Sequence, residues 1–230
     1  MLDAFALGGL AQSSLLLAGL LVCWVTIPTR VVGILAGFGA GALLAAVSFD
    51  LVAEAEALSR WQFGLWMMVG VAIFLVGDKI VERRFGSEGT GGAMGIVVGS
   101  VVDGVPESVI FGVQVATGFP ISLSFLTAVF VSNIPQAVAP SADLAAAGWK
   151  PRRLGTLWGA VVLACAVAAA LGFLGADAFS DVNGERMAAL AAGGLLAMLT
   201  NSLIPFAYER GREAAGVATV IGFCVSLLGT

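Results

Sequence analysis

Two short motifs place side chains that can hold a cation in the middle of strongly apolar stretches. The first reads Asp103-Gly104-Val105-Pro106-Glu107-Ser108. Its two acids are four residues apart, so on a helix both project from one face. The second reads Ser132-Asn133-Ile134-Pro135-Gln136, with Asn133 and Gln136 three apart and again on one face. A carboxylate near a bilayer centre costs at least about 2.5–3.5 kcal/mol, which makes an intramembrane acid a functional candidate from the start. Two of them about 6 Å apart repel each other unless a cation or a proton sits between them. Each motif also carries a proline. Pro106 and Pro135 each remove a backbone donor and free the carbonyl four residues earlier, that of Val102 and Val131. A freed carbonyl at membrane depth can coordinate a cation where it lines a cavity. Two carboxylates, two amide oxygens, the hydroxyls of Ser108 and Ser132 and the freed carbonyls make an oxygen cage of formal charge −2, suited to a divalent cation. Taken alone, Asn133, Gln136 and Ser132 serve equally well as hydrogen-bond glue between helices. Asp103 and Glu107 have no intramembrane base nearby in sequence to pair with.

Other polar residues are more ambiguous. Asp50 and Glu54 form a second four-residue pair, an outer vestibule, a second site, or acids reaching the headgroups. Asp143, beside Pro140 and Ser141, lines an exit path or pairs with Lys150 or Arg152, and Asp78-Lys79 reads as an interfacial ion pair. Cys23, Cys165 and Cys224 stand singly in apolar runs and read as buried thiols, with no disulfide framework. The chain has no histidine, which excludes His-based catalysis and imidazole zinc sites. Ser108 and Ser132 have no evident activating base, so an enzyme is not expected. Neither a prosthetic group nor a nucleic-acid partner is expected.

The elements that must position these residues are membrane helices. Of 230 residues, 59% are hydrophobic and 11% charged, under half the roughly 25% charge of soluble domains. The mean hydropathy is +1.01. Spanning about 30 Å of hydrocarbon takes about 20 helical residues. Eight spans therefore use nearly the whole chain, and residues 1–230 read as a single transmembrane domain. The runs are Ala6–Ile27, Val31–Leu58, Gly64–Val81, Gly91–Thr117, Pro120–Ala147, Leu154–Ala176, Arg186–Ala207 and Ala214–Gly229, separated by short Gly-, Pro- and Arg-bearing connections. With no basic segment before it, the first run reads as a retained helix. The two motifs lie on the fourth and fifth runs, a hairpin that sets them at one depth. The odd-numbered connections and helix ends carry nine Lys and Arg, the even-numbered two (Arg60 and Arg186). The positive-inside rule then puts the odd connections in the cytoplasm and both termini outside. The net charge of −4 says little about partners, since several acids fall within spans.

An internal repeat is also legible. Leu43–Val52 of the second run and Leu195–Ile204 of the seventh align so that Asp50 falls on Ser202 and Gly41 on Gly193. By the orientation above these runs point oppositely, the sign of an inverted repeat such as secondary transporters use.

With these motifs the sequence resembles the ZIP (Zrt/Irt-like) family of divalent metal transporters, along its whole length. The family's helix 4 pattern, His-Asn-x-Pro-Glu-Gly, stands here as Asp103-Gly104-Val105-Pro106-Glu107-Ser108. Its helix 5 pattern, His-Asn-x-Pro-Glu, stands as Ser132-Asn133-Ile134-Pro135-Gln136. Helix 2, His-Leu-x-Pro-Glu-Ala, is matched by Asp50-Leu51-Val52-Ala53-Glu54-Ala55, and helix 7, Glu-Leu-Ile-Pro-Glu, by Ser202-Leu203-Ile204-Pro205-Phe206. The resemblance implies an all-α integral membrane fold with eight transmembrane helices, helices 1–3 and 6–8 forming an inverted repeat around a helix 4/5 hairpin. It also implies metal uptake by alternating access toward the cytoplasm across the plasma (inner) membrane. An inward-negative potential of 100 mV would assist a dication by about 4.6 kcal/mol. The candidate metal residues are Asp103, Glu107, Asn133, Gln136, Ser132 and Ser108, with Asp50, Glu54, Asn201, Ser202 and Asp143 beyond them. Both motif histidines are replaced, the helix 5 acid is Gln136, helix 7 keeps no acid, and the connection after helix 3 is only about Glu82–Thr90. An oxygen-only ligand set favours Mn²⁺ or Fe²⁺ over Zn²⁺. Partners are thus the metal ion and the lipid bilayer, with the oligomeric state open and a homodimer among its options. Two other readings are a transport-dead scaffold or sensor and a proton-coupled carrier of a small solute.

Overall fold

The computed structural model describes residues 1–85, 91–118, 121, 123–178 and 184–228. Among the described residues the fold is all-helical. Its helices are α1 (Leu2–Leu21), α2 (Thr29–Glu54), α3 (Arg60–Phe85), α4 (Gly91–Thr117), α5 (Leu123–Ala146), α6 (Pro151–Ala178), α7 (Gly184–Gly211) and α8 (Glu213–Leu227). Six of them, α1, α2, α3, α5, α6 and α7, are long and apolar enough to cross a membrane, and α8 is a shorter apolar helix. The connections proposed around Gly86, Phe119-Pro120 and Asp181-Val182-Asn183 lie outside the described residues.

The helix ends follow local chemistry. The first run was expected to reach Ile27, but α1 stops at Leu21. Pro28 disfavours a helical conformation only at Ile27, the position before it, so it sets an outer limit to this run and not the end at Leu21. Likewise α2 ends at Glu54, short of Leu58, because Ala55 turns out of the helix at φ −93° and ψ 4°. Gly118 (φ 72°) and Gly148 (φ 87°) follow α4 and α5 in the left-handed region that glycine enters without strain. Between α7 and α8 a single residue makes the break, Arg212 at φ 52°.

Helices α1, α4, α5 and α6 form one group, in which α4 and α1 both pack on α6 and α5 packs on α1. In the second group α2 packs on α8 and α7, and α3 packs on α7; contacts of α2 with α5 and of α4 with α7 join the two groups. Near the join, the rings of Phe111 and Phe125 lie 4.9 Å apart. The distribution of side chains is inverted relative to a water-soluble bundle. Large apolar residues such as Leu17, Met68, Leu171 and Val217 stand outside, each more than 60% exposed, whereas Gln12 and Glu107 are 0% exposed. An outer surface this apolar suits hydrocarbon surroundings.

The internal repeat has a structural counterpart. Helix α2 widens into a π turn over Val47–Leu51, and α7 does so over Leu199–Leu203, each range 152 positions from the other. The same separation maps one helix interface onto the other. A Cβ on Gly41 would strike the Thr219 carbonyl and one on Gly222 the Phe38 carbonyl; in the other half Gly193 meets the Met67 carbonyl and Gly70 that of Leu190. Moving Gly41, Phe38, Met67 and Gly70 by 152 gives Gly193, Leu190, Thr219 and Gly222. Small residues let these backbones touch, and van der Waals contact is what holds helices together where no hydrophobic effect operates. Gly33, early in α2, lies against Gly211 at the end of α7, while the π turn of α2 packs on Gly184–Met198. The two helices therefore run in opposite directions.

Candidate metal site

Helix α4 buries Asp103, Glu107 and Ser108, and α5 buries Ser132, Asn133 and Gln136. Both helices continue through their internal prolines. The two motifs do converge, but through a third helix. Gln12 of α1 donates from Nε2 to Glu107 Oε2 at 3.0 Å, and its Oε1 accepts from Asn133 Nδ2 at 2.8 Å. The same nitrogen reaches the Gly104 carbonyl at 3.5 Å. Helix α4 can pass so close because residue 104 has no side chain. A Cβ there would lie 3.0 Å from Cys165 Sγ and 3.1 Å from Gln12 Oε1.

A cavity of about 160 Å³ is lined by Gly99, Ser100, Asp103, Gln136, Ser202, Leu203 and Phe206, none of them a member of this network. It joins α4 and α5 to the π turn of α7, where Ser202 sits. Bulges of this kind are frequent at functional sites. Several buried polar atoms of the two motifs have no hydrogen-bond partner among the described residues: Glu107 Oε1 and both Nε2 and Oε1 of Gln136. Leaving such a group unpaired costs about 1–3 kcal/mol. An ion or a water that reached these atoms would satisfy them. Among the described residues no three Cys, Asp or Glu side chains gather tightly enough to hold a metal alone. An ion here would have to draw on amide and hydroxyl oxygens as well, which is the donor set of hard cations.

The remaining candidates fall elsewhere. Asp50 Oδ2 accepts from Ser124 Oγ at 2.7 Å, and Glu54 Oε1 accepts from Gln114 Nε2 at 3.0 Å. Those acids tie α2 to α5 and α4 and do not line the Asp103 cavity. Ser132 turns its hydroxyl back to the Val129 carbonyl at 3.0 Å. Asp143 and Asn201 are exposed. Ser141 accepts from the Trp158 indole at 2.7 Å, fastening α5 to α6. Asp78 and Lys79 do not form an ion pair with each other. Of the cysteines only Cys165 is buried; Cys23 is half-buried and Cys224 exposed on α8, because an outer surface of apolar residues accepts a thiol as readily as a core does. Gln12 and Ser100 are the site residues that sequence reasoning missed. A glutamine inside the first apolar run was the available signal for Gln12, but spacing along one helix does not tell which other helix it meets.

No family model matches this chain. It is 30% identical over 204 residues to a protein of Arabidopsis thaliana named "Putative zinc transporter", an alignment covering 82% of this chain and 32% of the relative. The chain thus spans about a third of the length of that relative.

Proposed function

We propose that this chain is a divalent metal carrier of the ZIP type, moving Zn²⁺, Mn²⁺ or Fe²⁺ toward the cytoplasm through the site between α4 and α5. The observation that carries the reading is the buried pair Asp103 and Glu107, surrounded by unpaired polar atoms inside a bundle whose exterior is apolar. A fixed Lys or Arg would make such a pair structural; among the described residues none lines the cavity at Asp103, and the hydrogen-bond donor to Glu107 is the neutral amide of Gln12. Repulsion between the acids, together with the unpaired oxygens, favours a visiting dication. The relative's name supports a metal as cargo. Opposed copies of one helix pattern support alternating access about a central site, in a chain we read as having eight spans and both termini outside. The asymmetry of Lys and Arg supports its orientation in the plasma (inner) membrane. We read the chain as a carrier and not an enzyme.

The test is uptake of Mn²⁺, Fe²⁺, Zn²⁺ or Cd²⁺ into liposomes holding the purified protein. Flux should exceed that into empty vesicles and fall by at least about tenfold in Asp103→Asn and in Glu107→Gln. Equal flux with and without protein, or full activity in the double variant, removes the proposal. The small number of acidic ligands keeps one other reading in view, a relative that binds metal without moving it. Saturable binding with no flux would select it.

A further inference from the structure

Gln12 is the only residue outside α4 and α5 that hydrogen-bonds both motifs among the described residues, and it is fully buried. Its hydrogen bonds have a direction. Asn133 donates to Gln12, and Gln12 donates to Glu107, so the positive ends of both amides point along one line toward the carboxylate. The Nε2 group thus turns its positive end toward two oxygens, Glu107 Oε2 at 3.0 Å and the Gly104 carbonyl at 3.5 Å. A side-chain amide has oxygen and nitrogen of nearly equal size on opposite arms. Half a turn about its last bond exchanges them at almost no change of shape.

We propose that Gln12 is itself a ligand of the transported cation and that its amide reverses when the ion arrives. This rests on the reading of the α4/α5 site as a divalent cation site. In the reversed arrangement Oε1 faces the ion beside Glu107, and Nε2 faces Asn133, which turns its own Oδ1 to accept. The Gln12–Asn133 hydrogen bond persists with donor and acceptor exchanged. Asn133 is thereby informed of occupancy one helix away. In the ion-free arrangement the amide nitrogen substitutes for the absent positive charge at one carboxylate oxygen, Oε2, leaving Oε1 unpaired. Gly104 provides the clearance, since a Cβ would meet Gln12 Oε1 at 3.1 Å.

Two substitutions separate this role from packing. Gln12→Glu offers oxygen on both arms, so no reversal is needed and Asn133 can still donate to it. Gln12→Leu keeps bulk and offers no oxygen. Binding of Mn²⁺ and Cd²⁺ to the 230-residue protein in detergent should become about tenfold tighter in Q12E and at least about tenfold weaker in Q12L. If both variants weaken alike, or both bind as the unsubstituted chain does, Gln12 is not a ligand. If the unsubstituted chain binds neither ion, the transport reading fails, and this one fails with it. Should either variant not fold, the unsubstituted protein labelled with ¹³C at glutamine Cδ decides the matter. The Gln12 resonance, assigned by elimination of Gln62, Gln114 and Gln136, should shift on adding Cd²⁺. An unmoved Gln12 signal with Cd²⁺ bound overturns the proposal.

Discussion

Gln136 presents both of its side-chain polar atoms to the protein interior, and among the described residues neither has a hydrogen-bond partner. Its neighbour across the cavity is Asp103, so an apolar side chain of similar length would fit the hole but not the ion. Each unpaired atom is worth about 1–3 kcal/mol of lost stability. Gln136→Met should therefore stabilise the metal-free protein by about 1–2 kcal/mol in thermal unfolding while reducing metal flux by about tenfold or more. Such opposed changes are the mark of a site that function keeps under strain. A substitution that lowers both, or that leaves flux intact, would place Gln136 outside the ion path. Asp50 and Glu54 differ in kind, because each has a fixed hydrogen-bond donor on a neighbouring helix.

At the scale of elements, the two helix pairs α2/α8 and α7/α3 are copies of one contact. Glycine to alanine on an open helix face adds up to about 1 kcal/mol of stability. At Gly41 and Gly193 the added methyl would instead meet the backbone of Thr219 and of Met67. Overpacking of this kind costs about 1–3 kcal/mol. We expect Gly41→Ala and Gly193→Ala to lower the unfolding temperature by similar amounts, and Gly216→Ala, which has nothing within 4 Å, to leave it level or higher. Unequal penalties at the two sites would count against a shared interface. The repeat was legible in the aligned sequences of the second and seventh runs, but the coincidence of the π turns was not, since no residue type encodes an i→i+5 hydrogen bond.

For the whole molecule, the connections 22–28 and 55–59 flank α2 and must lie at its two ends. If the basic residues set the orientation, the first is cytoplasmic and the second external. In a cysteine-free background, Ser59→Cys should label with an impermeant thiol reagent on intact cells, and Thr26→Cys only after permeabilisation. Both positions are exposed. Labelling of both from outside, or of Thr26→Cys alone, would invert the orientation or break the span count. The direction of transport would then need another basis.

Composition and pattern determined that the chain is a bundle of apolar helices and that polar side chains stand in the middles of α4 and α5. Hydrocarbon penalises every unpaired polar group, so Asp103, Glu107, Asn133 and Gln136 stand out in one dimension. Helix periodicity then fixes which of them share a face. What periodicity does not fix is which face meets which neighbour. Only the tertiary structure brought Gln12 between Glu107 and Asn133, set Ser202 beside Asp103, and drew Asp50 and Glu54 away to Ser124 and Gln114. Those pairings depend on close backbone approach at glycines such as Gly104, and that contact is made between helices far apart in sequence.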